Sequence, residues 1–453
     1  MSALGKADAN ASRAFFVRML TRDISLEDCI LDLVDNSVDS AWKTLGSSRL
    51  SLDTGPDFSE CTIELEFDSE AFVLRDNCGG MSLESARKYA FTFGRKDLDP
   101  EDSAEFSIGV YGIGLKRAIF KLGTKIDIRS THMNGKVSEQ FVVPIDVNKW
   151  VKGKETDWDF PINSDTPLPA PGVSIEVKKL TEQTSAAFEN PEFEKDLRRT
   201  IARDYALHLH RGLRVVINGT PVDGVQFTLA KGDEFEPLKF SYEEPINGAK
   251  VHVEIVAGQA FPPPDDNEPS ERRGEREEKS GWYVACNGRI VMAADKSLLS
   301  IWGDDFPSWH PQYTGFFGLI MFTSDHTELL PLTTTKRNVD PSSPVYRKAR
   351  PRMKEPTRAW ISYTNVKKTA KEAVKSAEAK AVQTSIFNLP VRAQVALPQI
   401  EKKSRVRETS IQFTMPTVRV KNLAKGLGDA RMSNSEVGRK AFEYAYEDLA
   451  ADE

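Results

Sequence analysis

The sequence is poor in several features, and each absence narrows the choice. No apolar run approaches the roughly 18 residues of a membrane-crossing helix, so no span is predicted. The first residues, MSALGKADANASRAFF, lack a basic stretch followed by an apolar one, and no secretory leader is expected. Only four cysteines occur in 453 residues: Cys29, Cys61, Cys78 and Cys286. They are widely spaced and form no CxxC pair, which excludes a ribbon-type metal site and a disulfide framework. A reducing, cytoplasmic setting is expected. There is no internal repeat. Neither sign of charge dominates, with 61 Lys and Arg against 67 Asp and Glu for a net of −6.

The remaining composition is that of an ordinary globular protein, 40% hydrophobic and 28% charged. At roughly 100–200 residues per domain the length predicts two to four domains. The mild net charge is an average over unlike segments. Residues 341–407 carry 16 Lys and Arg against 4 Asp and Glu, a net of +12, while residues 1–340 carry a net of −16. A polyanion partner is therefore compatible with the overall balance.

Three constellations carry chemistry. The first is LEDCILDLVDNSVDSAW, a helix predicted from the Ser25 cap to about Lys43. Asp32, Asp35, Asn36 and Asp39 are spaced 0, 3, 4 and 7 along it, so they share one face. An amide oxygen beside carboxylates is the oxygen chemistry that suits Mg²⁺. The second is Asp76-Asn77-Cys78-Gly79-Gly80-Met81 behind a strand. A carboxylate there can accept a hydrogen bond from an exocyclic amine, and the turn leaves room for a flat base. The third is Gly109-Val110-Tyr111-Gly112-Ile113-Gly114 entering a helix, followed by Lys116 and Arg117. Glycines there let backbone N–H groups approach phosphate.

The order of these elements resembles the nucleotide-binding domain of the GHKL ATPases, the superfamily of gyrase B, heat-shock-90 chaperones, histidine kinases and MutL. The two-domain layout is most similar to MORC- and MutL-type proteins and small bacterial relatives. The resemblance implies an α+β architecture: a Bergerat-fold α/β sandwich ATPase domain over 1–185, a transducer-like α/β domain over 186–340 with a flexible insertion at 262–280, and a basic, mainly helical region over 341–453. It implies ATP and Mg²⁺ as ligands. Asn36 matches the family's Mg²⁺ ligand, and Asp32 stands where a catalytic Glu activates water. Asp76 matches the reader of the adenine amine, with Gly80 and Met81 as the pocket wall. Gly109, Gly112 and Gly114 match the phosphate-wrapping glycines, and Lys116 follows them. Arg95 and Lys96 fall on the lid. Lys336, in LPLTTTKRNVD, lies where the transducer sends a catalytic lysine back to the site.

Three departures stand out. Asp32 is one methylene shorter than Glu, so hydrolysis is expected to be slow. Cys78 replaces a glycine and is expected to pack rather than react. Val173 stands where the family often has Thr. The resemblance further implies a homodimer on ATP binding. Possible targets are nucleic acid through basic 341–407, protein clients as for a chaperone, or partner proteins of a multi-protein system such as an antiviral defence module. A nucleotide-sensing scaffold with little hydrolysis is a further alternative. No membrane partner is expected.

Overall fold

The computed structural model describes residues 12–46, 49–92, 108, 113–153, 158–264, 269–367, 371–398 and 409–450. The chain forms two compact units, Met1–Ile400 and Glu401–Glu453.

The first unit opens with helix α1 (Arg13–Arg22), which follows the Ser12 cap, and α2 (Leu26–Thr44). In α2 the Ser25 hydroxyl accepts from the Asp28 amide, and Glu27 and Asp28 lie at the positive end of the helix dipole. Eight strands form the first sheet among the described residues: β1 (Thr62–Phe67), β2 (Ala71–Asp76), β3 (Gly123–Asn134), β4 (Val137–Asp146), β5 (Asn163–Ser164), β6 (Gly172–Leu180), β7 (Arg214–Ile217) and β8 (Thr220–Pro221). Their order is β5-β4-β3-β6-β2-β1-β7-β8. Only the β1–β7 pairing is parallel. Along β1 and β2 the apolar residues Ile63, Leu65, Phe72 and Leu74 are buried and alternate with more exposed ones. This is the period of a sheet with one covered face. α2 and the helix Gly114–Leu122 supply the cover, burying Ile30, Leu33, Val34, Val38, Ile119 and Leu122 in the same core. Each such side chain contributes about 1.5–3 kcal/mol when fully buried.

The second sheet is built from β10 (Leu238–Ile246), β11 (Ala249–Gln259), β12 (Gly281–Cys286), β13 (Arg289–Asp295) and β14 (Phe316–Thr323), after the short β9 (Thr228–Lys231). Its order is β10-β11-β14-β12-β13. β12 and β14 are buried along their whole length. Their near-continuous apolar runs GWYVAC and FFGLIMFT are those of central strands covered on both faces.

The sheets depart from the expected division of the chain. The first sheet draws its last two strands from 214–221, beyond residue 185, because β7 pairs in parallel with β1. The expected flexible insertion at 262–280 contains a helix, Ser270–Glu278. Glu277 accepts the Trp309 indole N–H, and the Arg276 guanidinium lies 5.7 Å from the Phe261 ring. Tertiary contacts thus hold a helix that has no apolar periodicity of its own.

Residues 341–398 pack into the first unit. Trp360 and Tyr346 are buried in the core of the second sheet, and β15 (Val382–Ser385) pairs with β9. The basic side chains here find partners on the acidic body. Lys348 meets Glu244 at 2.8 Å, Arg350 meets Asp304 at 2.7 Å, Lys354 meets Asp305 at 3.0 Å, and Arg392 meets Glu236. Lys402, Lys403, Arg405 and Arg407 lie outside the described residues.

The second unit contains helices Thr417–Gly426 and Asn434–Ala450, with Ala424 and Val437 buried. No helix among the described residues is long and apolar enough to cross a membrane.

Candidate functional site

α2 presents two kinds of polar residue. Asp32 and Asp35 are buried, while Asn36 is exposed in the middle of an otherwise covered stretch. The Asn36 side chain makes no hydrogen bond among the described residues. Its amide oxygen is thus open to a ligand. Asp39, at the edge of the buried face, accepts from the Ile108 amide at 2.6 Å.

The two buried carboxylates sit in a network of cations. Arg117 donates to Asp32 Oδ2 at 2.5 Å, and the Lys336 ammonium lies 3.2 Å from Asp32 Oδ1. Lys336 also donates to Asp35 Oδ2 at 2.8 Å, and Arg289 donates to the same oxygen at 2.9 Å. The Tyr205 hydroxyl donates to Asp35 Oδ1 at 2.6 Å. Burial pushes the Asp35 carboxyl up, but Arg289 and Lys336 outweigh it and hold it below its ordinary value. Burial pushes the Lys336 ammonium down, and Asp35 and Asp32 outweigh that and hold it above its ordinary value.

The loop that delivers Lys336 is pinned on both sides. Leu332 and Val339 form a β-bridge, and the Lys336 amide donates to the Thr333 carbonyl at 3.0 Å. Lys336 itself adopts a left-handed backbone, φ +55°. Its neighbour Arg337 reaches Asp28, Glu27 at 3.2 Å and Asp204 at 3.1 Å.

Gly114 backs this network. A Cβ there would lie 3.2 Å from Asp32 Cγ, so the helix start packs directly on the carboxylate. Arg117, three residues further on, shares that face. Lys116 does not. It is buried, its ammonium donates to the carbonyls of Ala90 and Thr92 at 3.0 and 2.6 Å, and burial lowers it to about 8. Arg95, Lys96, Gly109 and Gly112 lie outside the described residues.

Asp76 ends β2 on the other side of α2. Its Oδ2 accepts from the Ser37 hydroxyl at 2.7 Å, and its Oδ1 accepts from the amides of Cys78 at 3.0 Å and Val173 at 3.2 Å. Burial pushes this carboxyl up against those three donors. Residue 173 thus contributes its backbone N–H to Asp76. Gly80, at φ +73°, presses so closely on β3 that a Cβ would lie 2.0 Å from the Thr131 carbonyl oxygen. The next residue, Met81, exchanges hydrogen bonds with Ser130: its amide donates to the hydroxyl at 2.7 Å, and the hydroxyl reaches its carbonyl at 3.0 Å. The Cys78 thiol is fully buried and pushed up, largely by its hydrogen bond with Cys61 and by burial. It is held unreactive.

The structure therefore brings Gly114 and Lys336 to Asp32 in the middle of α2, with Asn36 one helical turn further on, and sets Asp76, beside Gly80 and Met81, against Ser37. The sequence reading named Arg117 beside Lys116 without giving it a role, and passed over Arg289, Tyr205 and Ser37. The three-residue spacing from Gly114 was a signal for Arg117. Arg289 and Tyr205 are 254 and 170 residues from Asp35, and no local pattern marks them.

Residues 24–166 match the family described as Histidine kinase-, DNA gyrase B-, and HSP90-like ATPase. The matched segment holds α2, the Asp76 turn and the helix after Gly114, and it supports a GHKL-type ATPase domain that binds ATP. Lys336, Arg289 and Tyr205 lie beyond it. No curated protein significantly matches the chain.

Proposed function

We propose that the chain is a Mg²⁺-dependent, ATP-hydrolysing conformational switch in which the loop after β14 supplies Lys336 to the site. The observation that carries this is the burial of Lys336 against Asp35 and Asp32, 301 residues from its first partner. A lysine merely solvating its loop has no reason to be there. Asp76 accepts the hydrogen bond of the adenine amine, with Gly80 and Met81 beside the ring. Gly114 lets the phosphates approach the helix start. Lys336 stabilises charge on the terminal phosphate.

Asn36 fits a Mg²⁺ ligand, being an exposed amide oxygen without a competing bond. Among the described residues no group of three His, Cys, Asp or Glu could hold a metal ion. Phosphate and water would therefore complete the shell, as is usual for Mg²⁺. When bound, the ion would neutralise phosphate charge.

Asp32 is the general base. Each of its oxygens faces a cation, Lys336 or Arg117, so abstraction of a water proton requires one to turn away. That requirement, and the short side chain, support slow turnover. ATP-dependent homodimerisation follows from the resemblance to MORC- and MutL-type proteins. The described part of the basic region favours a tether to the protein's own body over a nucleic-acid contact, since its cations pair with Glu244, Asp304, Asp305 and Glu236.

Steady-state ATP turnover of Asp32→Ala against wild type tests the assignment. Turnover is expected to fall about 10²–10⁴-fold with ATP affinity retained. Undiminished turnover removes Asp32 from the mechanism.

A further inference from the structure

Two cations share one oxygen of Asp35. Lys336 and Arg289 both donate to Oδ2, at 2.8 and 2.9 Å, and both are almost wholly buried. A static ion pair needs one of them. In the immediate network two carboxylates, Asp32 and Asp35, face three cations, Arg117, Arg289 and Lys336. Two of the three donate to Asp35, and Asp204 adds a further negative charge near Arg289.

The two cations are mounted differently. Arg289 begins β13, the edge strand of the second sheet beside β12, and its guanidinium lies 5.7 Å from the Tyr205 ring. Lys336 sits on a loop with a flexible four-carbon stem. Arg337 anchors that loop through Asp28, Glu27 and Asp204. Lys336 can therefore change partner by a side-chain swing while the loop stays in place.

We infer that Arg289 is the standing counter-ion of Asp35, a positioning residue that lets Lys336 leave for the terminal phosphate without stranding a buried carboxylate. This rests on the reading of Lys336 given above. A buried charge stripped of its partner is strongly destabilising. Without Arg289, departure of Lys336 would leave Asp35 with Tyr205 alone. With Arg289 in place, Asp35 keeps a cation whether Lys336 is docked or delivered. The arrangement makes Asp35 the resting seat of the lysine and Arg289 the residue that makes leaving it tolerable.

The test is a double-mutant cycle on the full chain, read as the affinity for a non-hydrolysable ATP analogue with Mg²⁺ by calorimetry. Thermal unfolding checks that each variant is folded. R289M in the Asp35 background is expected to weaken the analogue at least about tenfold, and the same substitution in the D35N background by less than about threefold. Equal losses in the two backgrounds, or no loss in either, overturn the inference. Should R289M fail to fold, Arg289→Lys decides. It keeps a cation and is expected to hold affinity within about threefold of wild type, whereas a tenfold loss in a folded protein overturns the role. A wild-type chain that does not bind the analogue sinks the nucleotide reading and this inference with it. Wild-type binding with additive variants sinks the counter-ion role alone.

Discussion

The two ends of the site on α2 are held in opposite ways. At the Asp76 end every contact comes from the first sheet and its covering helix: the Ser37 hydroxyl, the Cys78 and Val173 amides, and the Ser130 hydroxyl on Met81. These are fixed donors, in place once that sheet forms. At the Asp32/Asp35 end the partners are three cations, Arg117, Arg289 and Lys336, and the neutral Tyr205 hydroxyl. Three of those come from beyond the first sheet's central strands. On the proposed reading, the contrast separates a recognition end built from the first sheet and its helix from a reaction end that exists only when two parts of the chain meet. Movement between the sheets would change the second and leave the first intact.

The largest expected effect breaks the reaction end alone. Asn36 is exposed, and its side chain makes no hydrogen bond among the described residues. Asn36→Ala should therefore leave unfolding stability within about 0.5 kcal/mol of wild type while weakening Mg·ATP at least about a hundredfold. Calorimetric titration and a denaturant melt on the same sample read both quantities. Unchanged affinity would remove Asn36 from the site.

The recognition end should break the other way, through the fold. Gly80 holds φ +73°, and a Cβ there would stand 2.0 Å from the Thr131 carbonyl oxygen. Gly80→Ala must push the turn off β3. The expected cost is at least about 2 kcal/mol of unfolding free energy, with loss of adenine recognition as a consequence. A variant of native stability by urea titration would show that the turn has slack, and the contrast between the two ends would lose its structural basis.

That difference also explains what the sequence made readable. The Asp32/Asp35/Asn36/Asp39 stripe follows from helical spacing alone, and the Asp76 turn is contiguous. Strands such as β1, β2 and β14 carry apolar patterns that local reading can use. Lys336 was reachable only through the order of matched motifs. Lys116 drew attention for its charge, yet its place on the helix turns it to the Ala90 and Thr92 carbonyls, and Arg117 faces Asp32. Arg289 and Tyr205 were out of reach, since only the docking of β13 and the helix Ala206–His210 against α2 gives them meaning. The helix Ser270–Glu278 was missed because its stabilising contacts, Trp309 and Phe261, are tertiary.

The smallest expected effect sharpens the comparison through pH. His208 lies fully buried beneath the reaction end, against the rings of Trp42, Phe58 and Tyr205. Burial lowers it from 6.5 to about 4, with Arg289 adding to the shift and Asp35 opposing it. The sign is fixed by which state binds the proton. Above about 6.5 neither state is protonated there, and the contribution of His208 to stability is whole. Between about 6.5 and about 4 the unfolded chain takes up a proton that the folded chain refuses, so stability falls with pH, by up to about 3 kcal/mol. Asp76, at the recognition end, is pushed up by burial and works in the opposite direction, gaining stability as pH falls. Glu254, raised to about 7 by burial, also opposes His208 within the same window. The wild-type curve alone therefore mixes signs, and the difference against His208→Phe isolates the histidine. That difference in unfolding free energy should be flat above about 6.5 and should shift in favour of the variant as pH drops towards about 4. A difference that does not change with pH would mean that His208 takes up its proton at the same pH folded and unfolded, and that burial does not hold it neutral.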